Sequence, residues 1–207
     1  MDETRFESNA SFPREPELNG KALEAWVKVI LKHDPVEALH ARLVSRISRA
    51  LGERLGLTAR ELESLRWGGL LHDVGKLTIS DSILGKTESL TDEEWDSVVR
   101  HPQMGYDLLA PLVHSQEVLQ MVLCHHEHWD GSGYPKGLAG DRIPLFGRIA
   151  AAADIWAALR TERPYRRAWS EAEARAYLPV EAGRALEPTI AAVLLKLVED
   201  NPAIDQP

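Results

Sequence analysis

Histidines and aspartates that could bind metal ions recur along this 207-residue sequence. His72 and Asp73 end an apolar run, and Gly75 then allows a sharp backbone turn. Asp154 lies inside an Ala-rich segment, where a carboxylate is costly unless it is paired or metal-bound. Imidazole and carboxylate groups suit divalent transition metals, and one carboxylate can bridge two of them, so a two-metal site for phosphoester chemistry is predicted. Further candidate ligands lie between these positions, at His101, His125 and His126.

Each of these residues also has an ordinary structural explanation. A single His-Asp pair often caps a helix, and His40, on or beside an apolar helical stripe, is by itself better explained as a core histidine. His125 and His126 point about 100° apart on a helix, so they converge only where the helix end faces a pocket. Trp129 and Trp156 are better explained as packing residues than as base-stacking ones. Of the two, Trp129 is the better candidate for base stacking. The argument for metal therefore depends on the whole set.

Composition excludes several classes of protein. A formal net charge of −8 argues against binding to long nucleic acid, which needs a basic face, but is compatible with a small phosphorylated substrate. No apolar run approaches the roughly 20 residues of a membrane span, and the polar residues 1–20 lack a signal-peptide core. A single cysteine, Cys124, excludes an intramolecular disulfide. We therefore expect a cytoplasmic protein.

Local patterns predict an all-helical chain. Capping boxes begin at Thr58, Thr91 and Ser170, and prolines at positions 35, 144 and 188 mark further helix starts. Residues 21–32 have helical apolar spacing, whereas residues 79–86 are expected to form a loop. Residues 130–135 form a Gly-rich turn cluster. We expect a flexible lead over residues 1–20 and one helical domain over residues 21–207.

Four motifs together indicate a known family. They are His72-Asp73-Val74-Gly75-Lys76, His125-His126-Glu127, Gly133-Tyr134-Pro135 and Arg163-Pro164-Tyr165-Arg166. In order and spacing the sequence resembles the HD-GYP family, a branch of the HD phosphohydrolase superfamily, from about Asp34 to Leu194. This resemblance implies an all-α HD-domain helical bundle with a Gly-rich loop at Gly-Tyr-Pro, and a metal-dependent phosphodiesterase that degrades cyclic di-GMP.

The resemblance also implies a role for each matching residue. Asp73 corresponds to the carboxylate that bridges two metals, and Lys76 to the lysine that contacts the scissile phosphate. These two residues are the expected catalytic groups. Lys76 is also expected to bind substrate, together with Tyr134, Arg163 and Arg166. The expected ligands are His40, His72, Asp73 and Asp154 for one metal, and Asp73, His101, His125 and His126 for the other.

The implied reaction is attack on phosphorus by a hydroxide that two divalent ions, iron or manganese, share. The product is the linear dinucleotide pGpG, with GMP as a further product left open. The expected partner is cyclic di-GMP or a related cyclic dinucleotide, and a homodimer or a signalling-protein partner is also left open. Two alternatives remain: an HD phosphohydrolase for another nucleotide, and a catalytically weak signalling module.

The sequence departs from the family pattern at several positions. Val36 stands where members with three metals carry a glutamate, and although Glu37 could reach the site, we expect two metals. Ala157 and Arg160 replace an aspartate and a threonine that usually follow Asp154. Loss of their hydrogen bonds is expected to affect the rate more than metal binding.

Overall fold

Helices are the main regular structure of the chain in the computed structural model, which describes residues 27–28, 35–162 and 166–204. Within these ranges there is no named strand, so the all-α prediction is confirmed. The α-helices are α1 (Pro35–Arg54), α2 (Ala59–Leu71), α3 (Asp81–Leu84), α4 (Asp92–Val99), α5 (His101–Leu109), α6 (Gln116–Cys124), α7 (Leu145–Arg160), α8 (Glu171–Glu181) and α9 (Pro188–Asp200). Two short 3-10 helices span Val74–Thr78 and Gly140–Arg142.

The helices begin largely where the capping signals predicted. Thr58, Thr91 and Ser170 each form a complete capping box at the start of α2, α4 and α8. The expected loop over residues 79–86 is wrong in part, because it contains the four-residue helix α3. This helix is held by local hydrogen bonds, in which the backbone N–H groups of Ile83 and Leu84 donate to the Ser80 carbonyl. A helix this short has no apolar periodicity to reveal it.

The core consists of two hydrophobic clusters. The larger lies where α1 packs against α2 and α7, and includes the fully buried Ile47 and Trp156. Ala150 and Ala153 are buried there, and their small side chains allow α7 to approach α1 and α6 closely. The second cluster joins the end of α2, the first 3-10 helix, α5 and α6 around Leu71.

The N-terminal predictions lie mostly beyond the described part of the chain. Val27 and Lys28 are helical, in agreement with the helix predicted over residues 21–32, and Val27 packs into the second cluster. The flexible lead predicted for residues 1–20 falls outside the described residues. Among those that are described, no helix has both the length and the apolar character that a membrane crossing requires.

Candidate metal centre

All the predicted metal ligands meet where several helix ends approach the middle of α7. His40 comes from α1 and Asp154 from α7, while the other ligands lie at or beside the ends of α2, α5 and α6. Their potential ligand atoms form two groups, each with all its atoms within 4.8 Å of one another. One group contains His40, His72 and Asp73, and the other contains Asp73, His101, His125 and His126.

The first group is completed by Asp154. Its Oδ1 lies 2.9 Å from His40 Nε2 and 3.8 Å from His72 Nε2. His72 Nε2 is in turn 3.0 Å from Asp73 Oδ2. The set predicted for one metal thus surrounds a common point, although the four residues come from three different elements.

The second group is organised around the other oxygen of Asp73. Asp73 Oδ1 lies 3.1 Å from His101 Nε2 and 3.6 Å from His125 Nε2. His126 Nδ1 is 3.9 Å from Asp154 Oδ2, so His126 also touches the first group. Because the two oxygens of Asp73 face different groups, this carboxylate is placed to bridge two cations.

Backbone carbonyls fix the orientation of three of the histidines. The Nδ1–H groups of His72, His101 and His125 donate to the carbonyls three residues earlier, at distances of 2.9, 2.7 and 2.9 Å. Because a carbonyl only accepts, the proton of each neutral ring is on Nδ1 and the Nε2 lone pair faces the cluster. This is the arrangement by which proteins orient metal-ligating histidines.

The resulting arrangement of lone pairs fits bound cations. His101 Nε2 and His125 Nε2 lie 3.1 Å apart and both face Asp73 Oδ1, which would place three electron-rich atoms together in a buried site. With neutral rings, the buried atoms His72 Nε2 and Asp73 Oδ1 have no hydrogen-bond partner. Buried polar atoms normally have partners, and a divalent ion in each group would satisfy these.

The electrostatics of the cluster agree with metal ligation. Burial, together with neighbouring histidines, lowers the pKa of His125 and His126, which favours the neutral rings that metals bind. Burial opposes charge on Asp73 and Asp154, but the surrounding imidazoles, and Lys76 beside Asp73, hold the pKa of both carboxyls below the ordinary value. The cluster therefore keeps two carboxylates ionised.

His72 differs from its neighbours. Burial lowers its pKa, but the carboxylates of Asp73 and Asp154 outweigh that effect and raise the pKa to about 9. Without metal, His72 therefore carries a proton near neutral pH, and a metal ion must displace that proton to bind.

Gly75 lets the first 3-10 helix lie directly against the start of α5. A Cβ at this position would be 1.9 Å from the His101 carbonyl oxygen and 2.7 Å from the Gly105 backbone nitrogen. Only glycine permits this approach, which brings Asp73 and His101 within 3.1 Å. The glycine expected to make a sharp turn therefore also sets the spacing within the second ligand group.

Lys76 lies at the edge of the cluster. Its Nζ donates to Asp73 Oδ2 at 2.6 Å and to Glu37 Oε1 at 2.9 Å. Burial disfavours the ammonium, but the two carboxylates outweigh it and raise the lysine pKa. Val36 is 47% exposed, whereas Glu37 turns inward to Lys76, so Glu37 supports the predicted catalytic lysine.

Glu127 is an important residue to which the sequence analysis assigned no role. Its buried carboxylate accepts hydrogen bonds from the backbone N–H groups of Lys136 and Leu138, at 2.7 and 2.8 Å. The Tyr134 N–H donates to the His126 carbonyl at 3.0 Å. Together these bonds hold the Gly-rich loop over the second ligand group. The available signal was an acidic residue directly after the paired histidines.

Of the other predicted substrate-binding residues, Tyr134 and Arg166 lie in the described part of the chain. The Tyr134 ring lies 4.7 Å from the His126 ring, beside the cluster. Arg166 donates from Nη2 to the Ala158 carbonyl, one helical turn or about 6 Å beyond Asp154 along α7. Arg163 lies outside the described residues, so its predicted position stays untested.

Two other expectations concern the surroundings of the site. Ala157 is fully buried in the larger hydrophobic cluster, and Arg160 donates to the Trp169 carbonyl. At the two positions that depart from the family pattern, Ala157 therefore packs in the core and Arg160 donates a hydrogen bond to the backbone. Trp156 is buried, and Trp129 packs with the Arg148 guanidinium 5.7 Å from its ring, in agreement with the expected packing roles.

Comparison with known proteins finds a matching family model and several similar curated proteins. A family model described as HD domain matches residues 25–190. Over 189 residues the chain is 37% identical to the cyclic di-GMP phosphodiesterase response regulator RpfG of Xanthomonas campestris, covering 90% of this chain and 50% of the relative. It is also 37% identical to 3′3′-cGAMP-specific phosphodiesterase 2 of Vibrio cholerae, covering 76% of this chain and 30% of the relative.

Solved structures show the same fold. Bd1817, an HDG"Y"P protein from Bdellovibrio bacteriovorus, superposes with a TM-score of 0.65 at 22% identity, over 87% of this chain and 63% of the other. A cyclic GMP-AMP phosphodiesterase from Vibrio cholerae gives a TM-score of 0.64, also at 22% identity, over 88% of this chain and 48% of the other. The chain spans half or less of the two curated relatives described above.

Proposed function

Because the chain belongs to the HD domain family, and its relatives and structural neighbours include HD-GYP proteins, we propose that it hydrolyses cyclic di-GMP with the help of two divalent metal ions. The observation that carries this proposal is the double ligand group that shares Asp73. A carboxylate with one oxygen toward each group is what a binuclear phosphodiesterase requires.

The proposed ligands divide as the two groups do. His40, His72 and Asp154 would hold one ion, His101, His125 and His126 would hold the other, and Asp73 would be shared by both. When bound, the two ions lower the pKa of a coordinated water and polarise the phosphoryl oxygens. The mixture of histidine and carboxylate ligands favours iron or manganese over magnesium, which prefers oxygen ligands.

The remaining residues orient and neutralise the substrate. Lys76 stays protonated beside Asp73, so its ammonium can offset the charge that develops on the scissile phosphate. Arg166, whose Nη2 donates to the Ala158 carbonyl, is assigned to a second phosphate oxygen, because a guanidinium can bind phosphate through parallel N–H donors. We assign the same function to Arg163. Tyr134 and the Glu127-held loop cover the ligand cluster and limit the access of water.

The proposed product is the linear dinucleotide pGpG, with further hydrolysis to GMP as a possible second step. A related substrate, 3′3′-cGAMP, is the second candidate, because a relative named for that substrate is as similar to this chain as the relative named for cyclic di-GMP. The two substrates differ in one purine base and share the same phosphodiester ring, so the metal centre serves both.

The test is turnover by protein that has been purified anaerobically and whose metal content has been measured. We expect about two metal ions per chain, hydrolysis of cyclic di-GMP to pGpG, and loss of both metal and turnover in Asp73→Ala. Asp107→Ala is a matched control, because Asp107 is an exposed aspartate on α5 whose carboxylate accepts a hydrogen bond from the Gln103 side chain. Metal-loaded wild-type protein that hydrolyses neither cyclic di-GMP nor 3′3′-cGAMP would contradict the proposal.

A further inference from the structure

A large aromatic side chain near the candidate metal centre is half exposed to solvent. Trp95 is 50% exposed and lies on α4, an eight-residue helix in which no residue is buried. Trp129 and Trp169 are less exposed than this, and Trp156 is buried. An exposed indole beside a candidate site can serve as a ligand contact, because its ring presents a large apolar face.

Trp95 is connected to the metal ligands through one other ring. Its ring centroid lies 6.2 Å from that of Tyr134, with the planes at 78°. Tyr134 in turn lies 4.7 Å from the His126 ring and 6.4 Å from the His101 ring. A substrate whose phosphate reaches the His101 and His126 ligand group therefore extends past Tyr134 toward Trp95.

The position of Trp95 is fixed in advance by its helix. The capping box of Thr91 and Glu94 starts α4, and Glu94 Oε2 also accepts a hydrogen bond from Lys86 Nζ at 2.6 Å. The end of α4 packs against the start of α5, where His101 is placed. Trp95 is thus held relative to the site without being buried, which leaves its π face available.

We propose that Trp95 stacks on a purine base of the cyclic dinucleotide whose phosphodiester lies at the metal centre. This inference rests on the proposed function and extends it with a base-binding position. Stacking on an aromatic ring tolerates any base, because every base has a π face. It also adds affinity without positive charge, which suits a chain whose net charge is −8. The sequence analysis preferred Trp129 for stacking, but Trp129 packs with Arg148.

The test compares two replacements of Trp95 in the metal-loaded protein. Trp95→Leu keeps an apolar side chain but removes the π face, whereas Trp95→Phe keeps a smaller ring. Loss of one stacked base weakens binding about 5- to 150-fold, so we expect the KM for cyclic di-GMP to rise in this range for Trp95→Leu with kcat little changed. We expect Trp95→Phe to recover most of the loss. Val180→Ala, at another exposed apolar position on a different helix, is the control.

Competitive inhibitors separate stacking from phosphate binding. GMP and ribose 5-phosphate both carry a phosphate, but only GMP carries a base. We expect Trp95→Leu to raise the inhibition constant of GMP and to leave that of ribose 5-phosphate unchanged. An unchanged KM and GMP inhibition constant in a Trp95→Leu protein with full metal content would overturn the inference.

A fluorescence measurement provides a second test that does not need the Leu variant. Stacking of guanine on Trp95 should quench part of the indole emission when GMP is added to wild-type protein, and Trp95→Phe should lack that part. Equal quenching in the two proteins would refute stacking. Wild-type protein that shows the Trp95-dependent quenching but no turnover would contradict the proposed function alone, whereas turnover with no effect of Trp95 would contradict this inference alone.

Discussion

Replacement of Gly75 by alanine tests the close approach on which the second ligand group depends. The new Cβ would lie 1.9 Å from the His101 carbonyl oxygen, whereas real contacts of a Cβ essentially never fall under 3.0 Å. The first 3-10 helix and the start of α5 must therefore separate by about 1 Å. All three contacts within 3.0 Å are to backbone atoms of α5, in His101 and Gly105, so no side-chain rotation can relieve them.

The separation has two measurable costs. Overpacking of this kind destabilises a protein by about 1–3 kcal/mol, which lowers Tm by roughly 2–12 °C for a chain of this size. The same shift pulls His101 away from Asp73 Oδ1, from which it is 3.1 Å in the native site. A misplacement of about 1 Å can reduce a catalytic rate roughly 100-fold. We therefore expect a moderately less stable protein that has lost most of its activity.

Three measurements on purified protein decide the outcome: Tm by circular dichroism, metal content by mass spectrometry, and hydrolysis of cyclic di-GMP. Gly85→Ala is the control, because its new Cβ would meet only the Asp81 carbonyl oxygen, at 3.1 Å. We expect this variant to keep its metal and its rate. A Gly75→Ala protein with wild-type metal content and turnover would refute the reasoning.

Three further predictions concern residues around the cluster. Glu127→Gln should raise KM and lower the free energy of unfolding by about 1–3 kcal/mol, because an amide has one oxygen and cannot accept hydrogen bonds from both loop N–H groups. The metal content should stay unchanged, and loss of metal would contradict this prediction. Glu37→Gln should lower kcat/KM yet keep two metals by mass spectrometry, because Glu37 lies outside both ligand groups; a lost ion would identify it as a ligand. Protonated His72 should stabilise metal-free protein below about pH 6.5, and this contribution should be lost as pH rises through about 9. The Tm of metal-free His72→Gln should therefore lack this part of the pH dependence, and identical profiles would exclude it.

The sequence predicted a shared cluster of candidate ligands because their chemistry is unusual in an apolar setting. Asp154 in an Ala-rich helix and His72-Asp73 at the end of an apolar run are costly placements, and the structure explains them by one shared cluster. The capping boxes were equally informative, since each depends on residues only three positions apart. The cost of a polar residue in an apolar segment and the spacing of a capping box can both be recognised from sequence alone.

Features that depend on tertiary packing could not be predicted from local sequence. Trp95 lies at a helical position that resembles any core position, but among the described residues it stays half exposed. The partners of Glu127 are 9 and 11 residues further along, in an irregular loop. Gly75 was expected to make a turn, but its contact with His101 joins residues that are far apart in sequence. In each case the determining neighbour is set by the fold.

The placement of Asp73 between the two hydrophobic clusters links metal binding to the fold itself. His40 and Asp154 belong to α1 and α7, which build the larger cluster, whereas α5 and α6, which carry or lead into the other histidines, build the second. His72 and Asp73 follow α2, which contributes Leu65 to the larger cluster and Leu71 to the second. A pair of ions bridged by Asp73 would therefore connect both halves of the core beside the end of α2, a helix that contributes to each of them. Because ions that bind the native chain and not the unfolded one stabilise it, the same carboxylate would contribute to both stability and the proposed catalysis.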